Sequence, residues 1–376
     1  VGKIGSQNLG NYDYISLMGA ASYDGQPGTK PTSLGNPVLQ WEETTSVDVG
    51  LDFGLLNERL RGTIGYYNKQ INNLIYDGSV PANSSYTTVN QNVGTIANVG
   101  WEFDIRGDVI RTDKVNFEIG FNIATNSGKV KKLDGIVKEL KMPYYYEYVR
   151  LVEGGHIGDW YGYQYAGRLF RTQEEIIALK PVSSTGVQEN YFGSYDSPGD
   201  AYLIDQDGDG KITADDRVPI RKDPKFTVSL SSTWNWKGFD LFMDWYGVSG
   251  RKIKNSYLYD YNSGGSLRGK LNGVKVDYWT PFNPSNEFPR PSYSADPAYL
   301  SAIAIQDASY IRLRTLQLGY TFPARLLKNT PIHKLRLYAT ATNLLTFTEF
   351  KSYSPELTPG SYPESRQYVF GVNVSF

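Results

Sequence analysis

The sequence predicts an all-β chain, and more narrowly an antiparallel β-barrel that crosses a membrane. Three observations carry that expectation. Apolar and polar residues alternate strictly through many segments, which gives each strand one apolar and one polar face. The connections between those segments alternate between short and long. Only one short stretch, TQEEIIALK at 172–180, reads as helix, too little to cover the apolar face of a sheet.

A fragment at 1–5 opens the strand series. Val47, Val49, Leu51 and Phe53 then oppose Ser46, Asp48, Gly50 and Asp52. Less regular strands follow near 59–77 and 97–107. The cleanest alternation sets Val115, Phe117, Ile119, Phe121 and Ile123 against Asn116, Glu118, Gly120, Asn122 and Ala124. Phe226, Val228 and Leu230 oppose Thr227, Ser229 and Ser231, and Phe239, Leu241, Met243 and Trp245 mark the next strand. A less regular strand near 309–322 precedes Leu335, Leu337, Ala339 and Ala341, and Tyr368, Phe370, Val372, Val374 and Phe376 form the last. The count is about ten strands.

Connections near 54–59, 107–114, 236–239 and 323–332 are short, whereas those near 6–41, 77–97, 127–224, 250–309 and 344–367 are long. A soluble sandwich has no reason to confine long loops to one end. An outer-membrane barrel does, with short periplasmic turns and long extracellular loops. Its polar lumen would hold residues such as Asp48, Asp52, Glu118 and Asn122. A membrane helix is excluded, because no run approaches the roughly 18 apolar residues it needs and mean hydropathy is -0.43. A soluble antiparallel sheet with one wet face stays open on this pattern alone.

Composition narrows the function classes. The 376 residues hold 38 Lys and Arg against 39 Asp and Glu, a net charge of -1, which argues against a nucleic-acid partner. There is no Cys and there are only two His, so disulfides, thiol catalysis and Cys/His zinc sites are excluded. His156 and His333 are far apart, and neither a GxSxG motif nor a phosphate-cradling glycine loop is present, so no enzyme is expected. His333 falls in a proposed periplasmic turn, where a solvated role is expected. The opening residues VGKIGSQNLG lack a Met, a basic region and an apolar core, which leads to the expectation that the chain starts partway through a larger protein.

Two constellations are candidates for chemistry. Asp205, Asp207, Asp209, Gly210, Ile212 and Asp216 fall at positions 1, 3, 5, 6, 8 and 12 of a calcium loop, with the Lys211 carbonyl at position 7. Alternate short carboxylates wrap a hard cation, and the glycine permits the sharp turn. An acidic, empty turn uses the same residues. The second is an aromatic set in the longest loop, Tyr144, Tyr145, Tyr146, Tyr148, Trp160, Tyr161, Tyr163 and Tyr165, able to stack on sugars or peptides. Barrels also place such residues in interfacial girdles.

LGNPVLQWEETTSVDVGLDFGLLNERLRGTIGYYNKQINNLI (34–75) resembles the barrel of the SusC/RagA family of TonB-dependent outer-membrane transporters. So do VGTIANVGWEFDI (93–105), VEGGHIGDWYGYQYAGRLF (152–170), DQDGDGKITADDR (205–217), DPKFTVSLSSTWNWKGFDLFMDWYG (223–247), SYIRLRTLQLGYTFP (309–323), YATATNLLTFTEFKSYSPE (338–356) and the terminal YVFGVNVSF. The resemblance implies the C-terminal part of a barrel of about 22 strands, without the plug and TonB box. It further implies uptake of oligosaccharides or peptides, TonB acting through the missing plug, the N-terminal remainder of the same barrel, surrounding outer-membrane lipid, and a SusD-like surface lipoprotein over the mouth. Phe376 ends the strand that would carry the assembly signal. Two alternatives remain at this point: a soluble or surface glycan-binding or glycan-cleaving β-protein, and a barrel serving as structural partner in an outer-membrane assembly.

Overall fold

The computed structural model describes residues 1–6, 9–80, 82–84, 86, 88–133, 139–144, 147–180, 189–191, 197–255, 277–285, 288–290, 297–357 and 361–376. Ten strands form one antiparallel sheet in chain order: Gly2–Ser6, Glu42–Leu55, Leu60–Ser79, Thr88–Arg111, Val115–Leu133, Phe226–Trp236, Phe239–Ser249, Tyr310–Thr321, Lys334–Thr348 and Gln367–Ser375. Each corresponds to a segment the alternation predicts. The first and last stand at the two ends of the strand order, so the sheet is an open stretch of barrel wall.

The register sorts the two faces. One cross-strand row reads Leu51, Ile64, Phe103, Ile123, Val228, Gly247, Ile311 and Phe347, apolar except where a glycine stands. The adjacent row reads Asp52, Thr63, Asp104, Asn122, Ser229, Tyr246, Arg312 and Thr346. Period-two geometry sends these rows to opposite sides of the sheet. The first meets lipid and the second lines the lumen, where Thr63 donates to Asp52 at 2.6 Å and Arg61 pairs with Glu118.

Aromatic rings bracket the apolar band. At the short-turn end, Trp236 is opposite Phe239 and Phe239 opposite Tyr320, with the Phe239 and Tyr320 rings 4.6 Å apart. At the other end, Tyr66 and Trp101 lie 4.9 Å apart. About ten residues of tilted strand separate the two belts, which matches an apolar band of about 25 Å.

Turn chemistry explains the short connections. Lys237 and Gly238 have φ of 49° and 88°, the left-handed pair that a two-residue hairpin requires. His333 lies in the turn before Lys334–Thr348, and its N–H donates to the Ser375 carbonyl at 2.6 Å. The loop expected at 77–97 is shorter than its pattern suggests, because the flanking strands run on to Ser79 and resume at Thr88. About 9 to 11 residues cross a bilayer. The 24-residue strand Thr88–Arg111 therefore extends well beyond it. There Val93, Ala97 and Val130 are buried under the loops, so these positions no longer alternate between lipid and water. Described parts of the long connections are also structured, beginning with a hairpin of Leu17–Tyr23 and Gln26–Ser33 inside the 6–41 segment.

Candidate functional site

Above the sheet, parts of two long connections fold together. Thr172 caps a helix at Gln173–Leu179, accepting the Glu175 N–H, and the helix buries Ile176. That side chain joins Leu169, Phe170, Tyr191, Leu203 and Ile212 from the first connection, and Trp279 and Ile303 from the second. Arg290 of the second donates to both Asp200 oxygens of the first, at 2.7 and 3.2 Å. A third connection is tied in separately: Arg312 and Arg314 pair with Glu356 at 2.9 and 3.3 Å, and the Tyr310 hydroxyl donates to the same carboxylate. Although burial alone would raise Glu356, these partners and Glu364 hold its carboxyl below the ordinary value.

The calcium-type loop is built into this unit. Ile212 enters the core and its N–H donates to the Tyr191 carbonyl at 2.6 Å. Asp205 accepts from Gly208 and Gly210 at 2.6 and 2.8 Å, Asp207 from Asp209 at 3.1 Å, and Asp209 from Lys211 at 2.8 Å. Carboxylate oxygens of Asp205, Asp207 and Asp209 lie within 4.8 Å of one another, a spacing that fits one hard cation. Asp207 receives a backbone hydrogen bond that lowers its pKa, yet desolvation and the neighbouring Asp209, Asp216 and Asp205 leave it raised. Asp216 is fully buried, and its two oxygens accept from Gln206 and Thr213 at 2.7 and 2.6 Å. It closes the loop through the backbone. The Lys211 ammonium pairs with Glu189.

The aromatic candidates are divided by strand geometry. Glu139–Tyr144, Glu147–Val152, Trp160–Gly162 and Val218–Ile220 make a four-stranded sheet. Trp160 is buried, opposite Val149 and Ile220. Tyr161 and Tyr148, paired across the sheet, face the other way. The Arg150 guanidinium lies 4.4 Å from the Tyr161 ring, and that of Arg217 lies 5.1 Å from both Tyr148 and Tyr163. Tyr145 and Tyr146 fall outside the described residues, and Tyr144 ends its strand. Tyr165 packs against the core, and burial pushes its hydroxyl up to about 12.

The structure also forms a pocket that no motif announces. It lies on the lumen side where Tyr67, Asn98, Asn126 and Thr227 meet His156, Asp159 and Arg221 from the loops above. Its members are scattered from residue 67 to 227, so only the fold could assemble them.

A strand meander with an apolar outer face, a polar lumen face, aromatic belts and a structured cap defines the wall of an outer-membrane β-barrel transporter or receptor. The family description for TonB dependent receptor-like β-barrels matches residues 6–344. The chain belongs to that family, and its place is the bacterial outer membrane. TonB-dependent receptor P26 of Formosa agariphila is 28% identical over 405 residues, covering 100% of this chain and 39% of the relative. TonB-dependent receptor SusC of Bacteroides thetaiotaomicron is 26% identical, covering 100% of this chain and 37% of the relative. The solved structure of the RagAB peptide transporter superposes with a TM-score of 0.73 at 27% identity, over 100% of this chain and 40% of its own. The chain thus spans about two fifths of the relatives it matches. The soluble-sheet alternative falls with this membership.

Proposed function

We propose that the complete protein imports a nutrient across the outer membrane, with residues 1–376 forming the C-terminal part of the barrel wall and much of its extracellular cap. The observation that carries this reading is the whole-chain match to the RagAB peptide transporter, at a TM-score of 0.73. Transport is driven by TonB acting on a plug that precedes this segment. A SusD-like surface lipoprotein covers the mouth. The solute is an oligosaccharide or a peptide, met at the cap by the face that carries Tyr148 and Tyr161, while Tyr163 packs against the core beside it.

In this reading calcium is a structural ion. Asp205, Asp207 and Asp209 supply carboxylate oxygens, the Lys211 carbonyl adds another, and the ion offsets the mutual repulsion of the carboxylates. The import reading is tested by deleting the gene in its host and measuring growth on oligosaccharides or peptides as the sole nutrient, alongside affinity purification of the tagged transporter. Loss of growth on one class and recovery of a surface lipoprotein are expected. Unchanged growth on every such nutrient would sink it.

A further inference from the structure

A groove of ≈ 770 Å³ runs down the apolar outer face, where the strands Phe226–Trp236, Phe239–Ser249, Tyr310–Thr321 and Lys334–Thr348 lie side by side. Its floor is Gly247, the glycine that interrupts the apolar cross-strand row between Val228 and Ile311. Val228 forms one wall, and Ile311 and Phe347 form the other. The walls lean in over the floor: a Cβ on Gly247 would lie 2.9 Å from Val228 Cγ1 and 3.5 Å from Ile311 Cγ1. Toward the short turns, Trp245 stands opposite Leu230 and Leu313 with its ring 6.4 Å from that of Phe347, and the groove stops there.

The other end opens at Ser249, Ser309 and Glu349, where the strands give way to long connections. Hydrogen bonds fix this rim. The Lys225 N–H donates to the Ser249 carbonyl at 2.8 Å, the Gly250 N–H to the Ser309 hydroxyl oxygen at 2.9 Å, and the Thr348 hydroxyl to the Ser309 carbonyl at 2.8 Å.

Position and chemistry select the occupant. Ile311 and Phe347 are 54% and 60% exposed, on a face whose surroundings are hydrocarbon. Apolar space of this kind takes no water. Left void, its lining would forfeit dispersion contacts that a chain laid along it supplies. From Trp245 to Ser249 the groove covers about 13 Å of strand. That is half of an apolar band of about 25 Å, the depth of one leaflet, and the opening lies on the long-loop, extracellular side. At the rim, the exposed Glu349 carboxylate and the serine hydroxyls accept hydrogen bonds from a headgroup. We propose that this groove binds one acyl chain of an outer-leaflet lipid, whose headgroup donates to Glu349 from a hydroxyl or an ammonium. A chain seated there touches protein on three sides, whereas bulk lipid touches the wall on one. The proposal rests on the lipid-facing assignment of the apolar row and is independent of the import reading.

The test uses the complete transporter in bilayers that contain a phosphatidylethanolamine with a photoactivatable diazirine in its acyl chain. On illumination, peptides bearing Val228, Ile311 and Phe347 should be labelled at least threefold more than those bearing Leu51 and Ile64, which stand in the same row outside the groove. Ser249→Phe at the rim and Gly247→Leu at the floor should each remove that excess, and Leu51→Phe should not. Labelling is read on heat-modifiable, folded barrel, and Ser249→Phe decides the comparison where Gly247→Leu yields none. A diazirine phosphatidylcholine, whose headgroup lacks a donor, should label the groove less than the phosphatidylethanolamine, and Glu349→Gln should narrow the difference. Even labelling along the row, or an excess that survives Ser249→Phe, overturns the proposal. Equal labelling by the two lipids overturns the headgroup contact. Absence of labelling in the groove of a barrel that crosslinks to a second copy through Phe347 makes that copy the occupant, and overturns the proposal as well.

Discussion

The Arg290 guanidinium grips both oxygens of Asp200, at 2.7 and 3.2 Å, across ninety residues of chain. Asp200 is only 1% exposed, and the Ser197 N–H also donates to it at 3.0 Å. The pair joins two connections that the sequence presents as separate loops. The Arg290 N–H reaches the Gly199 carbonyl at 2.9 Å, and Trp279 packs where a Cβ on Gly199 would lie 2.4 Å from its ring. Gly199, at φ 89°, is a position only glycine fills without strain. The cap therefore responds as one unit, and shortening the 250–309 connection would remove core residues from it.

Arg290→Ala should strip the buried Asp200 of its bidentate cationic partner while the Ser197 N–H, at 3.0 Å, stays, at a cost of about 3 kcal/mol to the cap. Hydrogen exchange should accelerate across 197–216 and 277–290 while the barrel strands stay protected. Asp200→Asn in the same chain should recover part of the loss. Unchanged exchange in Arg290→Ala would show that the apolar cluster alone holds the cap.

Phe376 follows the terminal strand, whose outward side chains Tyr368, Phe370, Val372 and Val374 are all exposed to the lipid side. An outer edge with a continuous apolar face suits recognition during membrane insertion. Deleting Phe376 from the complete protein should lower the yield of heat-modifiable, folded barrel several-fold. An equal yield would remove the assembly role from this residue.

Calcium should protect the 205–216 loop from proteolysis, and Asp207→Ala combined with Asp209→Ala should abolish that protection. Asp207 is raised in the fold, so its negative form is disfavoured there and the ion that needs this form relieves the repulsion. As pH falls through the raised value, protons displace calcium and protection should weaken. Without calcium the sign reverses, because the raised Asp207 loses its repulsion on protonation and the bare loop gains stability as pH falls. Protection independent of both calcium and pH would indicate an empty turn, already closed by Asp216.

The wall was legible in the sequence because lipid and lumen impose a two-residue period, which Leu51 and Asp52 or Val228 and Ser229 display directly. Above the bilayer that constraint ends. NQNVGTIANVG at 90–100 continues a strand, but its side chains meet loops, and Gly94 with φ 151° sits where a Cβ would lie 2.0 Å from the Lys132 carbonyl. Proximity in sequence also grouped Trp160 with Tyr161, which pleating sends to opposite faces. The Asp159 and Arg221 pocket gave no local signal, since its polar partners come from distant strands. The calcium spacing was readable because all its carboxylates are neighbours in the chain.

The face assignment itself admits a paired test at one depth. Leu230 is exposed on the apolar side, between the two aromatic belts, opposite Phe121 and Trp245. Ser229, its chain neighbour, points to the lumen between Asn122 and Tyr246. An arginine on the lipid face near the midplane costs about 2 to 4 kcal/mol, whereas a lumen position keeps access to water and polar partners. Leu230→Arg should therefore reduce unfolding stability of the complete barrel by about that amount, and Ser229→Arg should change it far less. Equal losses, or a larger loss for Ser229→Arg, would mean that the sheet is turned the other way and that the charged row of Asp52, Asp104 and Arg312 does not line the lumen.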